Sequence, residues 1–219
     1  MKSIFEGQPL HLLVLAILLG GVWWVAQFSV MHEGGLWLDT SYLIWIAVGI
    51  AVVHQVYVWF VWRMELLHEW VSKNWPQRGF RGYSVGFAVL GLGRLVSITW
   101  LAFANRDTLH VPALGSWIVG SGFLLASMYC LYSVYRYFGI DRAVGIDHFV
   151  PEARNWPLVN EGIFKYTDNG MYSVGFLLLW VPGFYLGSVA ALVVAAFHHA
   201  YIWVHYYCTE LPDMREIYG

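Results

Sequence analysis

The long apolar runs constrain this chain more than any motif in it. Leu10–Val30, Tyr42–Trp62, Tyr83–Ala104 and Pro112–Phe138 each have the length, about 20 residues, that a helix needs to cross a hydrocarbon core. A further apolar stretch from Met171 to Tyr207 is divided by VPGFYLG, Val181–Gly187, where Pro182, Gly183 and Gly187 favour a turn. It reads as a tight hairpin of two helices, the first unusually short. Only 12% of the 219 residues are charged, against roughly 25% in a soluble domain. The expected fold class is therefore all-α: a polytopic transmembrane helical bundle of about six segments with a C-terminal helical hairpin. One lysine followed by a long apolar span, with no small-residue cleavage site before Gln27, does not read as a cleavable signal.

The basic residues orient these spans. Lys2 precedes the first. Arg63, Lys73, Arg78 and Arg81 fall between the second and third, and Arg136, Arg142, Arg154 and Lys165 between the fourth and fifth. Arg215 follows the last. With six alternating spans all of these share one side, only Arg106 lies opposite, and Arg94 sits within the third span. The positive-inside bias then puts both termini and the long polar loops in the cytoplasm, of a bacterial inner membrane or the endoplasmic reticulum. A net charge of −2 without a basic run gives no reason to expect a nucleic-acid partner. Cys130 and Cys208 look far apart along the membrane normal and read as core residues, not a disulfide.

The ionisable groups gather at the cytoplasmic end. The loop of residues 139–170 carries Asp141, Arg142, Asp147, His148, Glu152, Arg154, Glu161, Lys165 and Asp168. The tail carries Glu210, Asp213, Arg215 and Glu216. Such residues ordinarily just solvate a membrane surface, but this loop is long and rich in Gly, Tyr, Asn and Pro, and long connections in compact domains are usually functional. In FHHAYIWVHYYCTE, His198 and His205 are seven apart and share a helix face, about 10 Å apart along the axis. Ionisable groups inside a membrane are candidates for function, with an interhelical hydrogen bond as the plainer alternative. For Arg94 the alternatives are backbone carbonyls or a lipid phosphate.

Familiar cofactor and metal motifs are missing. GLGR at Gly91 is not a dinucleotide fingerprint and lies in a span, and GxxxxGK[ST], CxxC and HExxH are absent. The histidines do not form the repeated boxes of a membrane di-iron oxygenase, so no metal is expected.

The stretch VNEGIFKYTDNGMY, the hairpin after it and the ending TELPDMREIYG together resemble the integral-membrane methyltransferases. These comprise the phospholipid N-methyltransferases and the isoprenylcysteine carboxyl methyltransferases. Their shared pattern is G-x-[FY]-[RK]-[YH]-x-R-H-P-x-Y, then a helical hairpin, then a glutamate-bearing tail. Gly162, Phe164, Lys165, Tyr166 and Tyr172 match it. Asp168, Asn169 and Gly170 stand where Arg, His and Pro are usual. The tail is most similar to the phospholipid branch, and spans one to three are not accounted for. On this resemblance, residues 1–219 form one integral-membrane domain, with N-terminal spans in 1–104. A methyltransferase-like core follows in 105–219, with the cytoplasmic loop 139–170 and the tail 208–219.

The resemblance implies that loop and tail enclose S-adenosylmethionine, with Gly162, Phe164, Lys165, Asn169, Tyr172 and Glu210 as cofactor-binding residues. Methyl transfer to an amine is an in-line displacement that needs alignment, worth roughly 7–11 kcal/mol, and a group to accept the amine's proton. The catalytic candidates on that side are Asp147, His148, His205 and Glu210, and Arg94 and His198 are the substrate-binding candidates. The implied reaction is N-methylation of a membrane lipid, phosphatidylethanolamine or its methylated derivatives. Other readings stay open: a different methyl acceptor (an isoprenylcysteine carboxylate, a sterol-like lipid or a small thiol), or a haem protein using histidine pairs such as His54 and His198. Against a transporter, the polar cap is one-sided and paired broken helices in equivalent halves are lacking.

Overall fold

The computed structural model describes residues 3–34 and 39–219. Lys2, used above for orientation, lies outside them. Regular structure among the described residues is entirely helical. The long helices are α1 (Gln8–Val25), α2 (Thr40–His68), α4 (Gly79–Ala104), α5 (Ala113–Ser133) and α9 (Val189–His205). Short ones fill the connections: α3 (Trp70–Asn74), α6 (Ile140–Ala143), α7 (Gly170–Ser173), α8 (Val181–Tyr185) and α10 (Leu211–Tyr218).

Five helical stretches are long and apolar enough to cross a bilayer: α1, α2, α4, Ala113–Phe138 and Val189–Tyr218. The shorter apolar helical stretch Gly170–Tyr185 is the sixth segment. It runs beside α5 from Cys130, whose thiol donates to the Gly170 carbonyl, to Ser121, 3.0 Å from the Tyr185 hydroxyl. It then meets the turn after α4, where Asp107 and Leu109 donate to the carbonyls of Leu186 and Gly187. The segment thus reaches as far as the long spans do. Its middle, Gly175–Trp180, is a 3₁₀ coil, which rises about 2 Å per residue and covers the distance with fewer residues.

Three boundaries differ from the sequence expectation. The second span continues past Trp62 to His68, so Arg63 is in the helix and not in a loop. The hairpin turn sits at Gly187–Ser188, while Pro182 and Gly183 belong to α8, with the proline in its first turn where a missing N–H costs nothing. The last span passes through a wide π turn, Tyr206–Glu210, into α10, so the expected tail is a continuation of the helix.

Lipid tails are as apolar as leucine, so helices in a membrane associate through close packing and hydrogen bonds more than through the hydrophobic effect. The centre of this bundle shows that logic. Ala47 and Ala51 of α2, Ala102 of α4, and Ala190, Ala191 and Ala195 of α9 are all fully buried in the main core. Large apolar residues such as Leu13, Ile17, Val85, Leu92, Leu114 and Leu125 face outwards.

One buried amide closes the bundle at the end away from the termini. The Asn105 Nδ2 donates to the carbonyls of Val30 and Glu33, at 2.9 and 2.7 Å. Its Oδ1 accepts from the Thr108 and Ser188 hydroxyls and from the Ala190 N–H. At the other end Arg63 donates to the Ser3 carbonyl and the Trp59 indole to that of Ile4, so the first described residues lie beside the end of α2. The Tyr218 hydroxyl donates to Asp147, which brings the last helix to the same end.

Candidate active site

Residue types at the terminal end of the bundle are those of a buried ionic network. Arg63, carried into the interior by the extension of α2, places Nε 2.6 Å from Asp213 Oδ1, with neither side chain exposed. Its Nη2 donates to the Thr209 carbonyl at 3.3 Å, which the wide turn after α9 presents to it. His148 Nε2 lies 3.5 Å from the other Asp213 oxygen, and its Nδ1 lies 3.2 Å from Asp147. The Trp62 ring stacks on His148, with centroids 4.1 Å apart and planes 19° from parallel. Gly145 makes that stack possible: its φ is +91°, and a Cβ there would lie 2.5 Å from the Trp62 ring.

Burial opposes the charge of His148, but hydrogen bonds and attraction from Asp147 and Asp213 outweigh it and raise its pKa above 6.5. Burial likewise opposes ionisation of Asp147, and His148, with help from Tyr218, outweighs it and holds that carboxyl below the usual range. His148 is thus held as an imidazolium between two carboxylates.

Beside this network the Tyr172 hydroxyl donates to Glu210 in a very short hydrogen bond. The contact joins α7 to the wide turn and brings together the loop end and the tail singled out by sequence. Trp203 and Tyr206 complete an aromatic wall, with ring centroids 6.2 and 5.9 Å from Tyr172. Asn169 begins α7, its carbonyl accepting the N–H groups of Tyr172 and Ser173, and so it positions Tyr172.

The earlier part of the loop is engaged elsewhere. Gly162 packs on α5: its φ is +60°, and a Cβ would lie 2.5 Å from the Ser133 hydroxyl oxygen, which accepts the Ile163 N–H. Phe164 stacks on Phe138 at 4.8 Å. Lys165 is exposed. These three shape the loop against the end of α5, while Asn169 and Tyr172 carry it to the tail.

Beneath the cap, α2, α4 and α9 enclose a column of polar side chains. Arg94 donates to the Ala51 carbonyl at 3.1 Å, one of the two kinds of partner expected for it, and its guanidinium lies over the Phe176 ring. His198 Nε2 bonds the Ala47 carbonyl at 3.0 Å, and His11 Nε2 the Tyr201 hydroxyl at 2.8 Å. His205 lies 5.7 Å from Trp62, centroid to centroid. Both ring nitrogens of His54, both amide atoms of Gln55, Arg94 Nε, and Nδ1 of His11, His198 and His205 are buried without a hydrogen-bond partner. Ala47 and Trp62 bracket the column along α2, about 22 Å at 1.5 Å per residue. Most buried polar atoms in proteins are paired, so such a concentration sets this interior apart from a packed apolar core. Among the described residues, no three His, Cys, Asp or Glu side chains converge as a metal site.

Residues 116–219 match the family model described as phospholipid methyltransferase. The C-terminal part of this chain is that of a membrane phospholipid methyltransferase. No curated protein and no solved structure matches the chain. The methyltransferase region contains Asp147, His148, Tyr172, Glu210, Asp213 and Tyr218, whereas Trp62, Arg63, Tyr83 and Arg94 come from helices that precede it. The phospholipid methyltransferase region therefore does not build its cap alone.

Sequence reasoning placed Asp213 in the polar cap without a role and missed Arg63, Trp62 and Tyr218 altogether. A signal for Arg63 existed: WRMELLH continues the helical pattern of span two beyond its first charge. Nothing local marks Trp62, one of 13 tryptophans.

Proposed function

We propose that this methyltransferase moves the methyl group of S-adenosylmethionine to the amine of phosphatidylethanolamine, or of its methylated derivatives, at the cytoplasmic face of its membrane. The observation that carries the reading is the Tyr172–Glu210 contact, which joins the two sequence stretches typical of the family within a carboxylate-bearing cap. The donor set suits a cationic methyl donor. Glu210 receives its bond from a neutral phenol and not from a base, and aromatic rings of Tyr172, Trp203 and Tyr206 stand around it. Aromatic faces and a carboxylate favour sulfonium and ammonium groups alike.

S-adenosylmethionine, when bound, supplies an electrophilic methyl group on a sulfonium. The chain's own residues align the amine and take its proton. Among the four catalytic candidates, Glu210 is assigned as proton acceptor. Asp147 is held by Tyr218 and His148. His148 already keeps its proton between two carboxylates, and His205 lies one turn and more deeper on α9. Asp147 and His148 then act as positioning residues. Lys165 and Asn169 are the polar loop groups for the cofactor's charged end, with Gly162 and Phe164 fixing the loop's shape. Arg94 and His198 line the polar column below, where they receive polar parts of the bound molecules. General base catalysis of this kind contributes about 10²–10⁴-fold.

The test is direct. Purified protein is incubated with methyl-labelled S-adenosylmethionine and mixed lipids, and the lipids are separated. Label in mono-, di- or trimethylated ethanolamine lipids is the expected result. Absence of label from every lipid overturns the proposal.

A further inference from the structure

Between α2, α3 and the start of α4 lies a groove of ≈ 400 Å³, lined among others by Tyr57, Trp70, Trp75, Arg78, Gly82 and Tyr83. It lies outside the region that matches the phospholipid methyltransferases. Its walls are mainly apolar and aromatic, and its single charged lining residue is Arg78. Nearby Lys73 is paired with Glu69 at 3.4 Å, but Arg78 is exposed and has no ion pair among the described residues. Exposed Trp70 and Trp75 have the character of residues that settle at a membrane–water boundary.

The inner wall of the groove is Tyr83. Tyr57 stacks on it at 5.5 Å and donates to its carbonyl, and Phe149 of the cap loop packs on it at 5.0 Å. The Tyr83 hydroxyl is buried without a hydrogen-bond partner, as is the Trp62 indole nitrogen. Trp62 in turn stacks on His148. One aromatic side chain thus separates the groove from the cap. A groove with an apolar bed, one free cation at boundary depth and an aromatic partition towards the cap matches one occupant on chemical grounds: a diacyl lipid with a phosphodiester.

We infer that this groove is the docking site of the phospholipid substrate, with Arg78 on its phosphodiester and the glycerol and first acyl carbons on the apolar bed. The inference rests on the lipid-methylation reading and supplies the lateral route that reading requires. An amphiphile slides in between α2 and α4 with its amine directed past Tyr83.

The test separates binding from turnover. Purified protein in detergent is titrated with phosphatidylethanolamine and with phosphate-free diacylglycerol of the same chains, and bound lipid is counted by native mass spectrometry. Arg78→Gln is expected to weaken phosphatidylethanolamine binding roughly fivefold, the size of one interfacial ion pair, and to leave diacylglycerol binding unchanged. Gly82→Leu is expected to weaken both, since a Cβ at Gly82 points into open space and its added bulk fills the groove. Both variants raise KM for the lipid and leave methyl-donor affinity as in wild type. If Arg78→Gln preserves the ratio between the two lipids, or a folded Gly82→Leu binds both as wild type does, the groove assignment fails. Lipid binding that responds to both variants without any methyl transfer would sink the enzymatic reading and leave the groove standing.

Discussion

Arg63 Nε and Asp213 Oδ1 are 2.6 Å apart across most of the chain's length, and neither side chain is accessible to solvent. Removing one partner of such a pair strands a buried charge, which costs about 3–5 kcal/mol. Arg63→Met should therefore lower the thermal unfolding midpoint in detergent by several degrees, and Asp213→Asn should do the same. The double variant should recover part of the loss, because no uncompensated charge remains. Additive losses in the double variant would show that the two side chains act independently.

The raised pKa of His148 makes a pH prediction with a definite sign. A group whose folded-state pKa lies above its unfolded value stabilises fully below the unfolded value, here 6.5, and loses that contribution as pH rises through the folded value. The groups facing His148 are Asp147, Asp213, the Gly145 carbonyl and the Trp62 ring. The unfolding midpoint should accordingly fall between pH 6 and pH 9, and His148→Gln should flatten that fall. Asp147 works in the opposite direction, its contribution being lost only as pH drops below the ordinary carboxylate range. A midpoint that rises above pH 7 would contradict the network.

Glu210 and Tyr172 are expected to matter to the reaction far more than charge at the far end of the bundle. Glu210→Gln should lower kcat at least about 100-fold if it accepts the amine's proton. Tyr172→Phe should lower it less, since the carboxylate survives. Arg106→Ala, at an exposed site beyond the far turn, should leave activity and S-adenosylhomocysteine affinity unchanged. Equal affinity for S-adenosylhomocysteine in Glu210→Ala, Tyr172→Ala and Arg106→Ala by calorimetry would remove the site assignment.

Orientation is open to a labelling experiment. Both native cysteines are buried, so single added thiols report cleanly. Lys165→Cys should react with an impermeant maleimide only after the membrane is opened, and Arg106→Cys should react in intact cells. The reverse pattern would place the cap outside.

How far the sequence speaks for itself varies with the range of the interaction. The long spans are visible because each is a local property of about 20 residues. The charge bias likewise groups the polar connections at one end. Arg63 was misread because a charge after an apolar run usually marks a helix end, and only its distant partner Asp213 makes burial possible. The turn was drawn at Pro182 and Gly183 because those residues favour turns, yet tertiary contacts of Leu186 and Gly187 with the Asp107–Leu109 segment put it later. Tyr172 and Glu210 were found through a resemblance, not through geometry. The unpaired histidines of α2 and α9 were noticed one by one, but their assembly into a column depends on helix register that no single segment encodes.

Asn105 gives the molecule two unlike ends. A single amide there ties the turn after α1 to the starts of two other connections through five hydrogen bonds. The opposite end consists of loops and of aromatic partitions such as Tyr83. The bundle is built like a pair of tongs, with its pivot at the sealed end. Small separations of α2 from α4 needed to admit or release a lipid would be taken up at the jaws, where a few ångströms of opening disturb the fewest interhelical contacts.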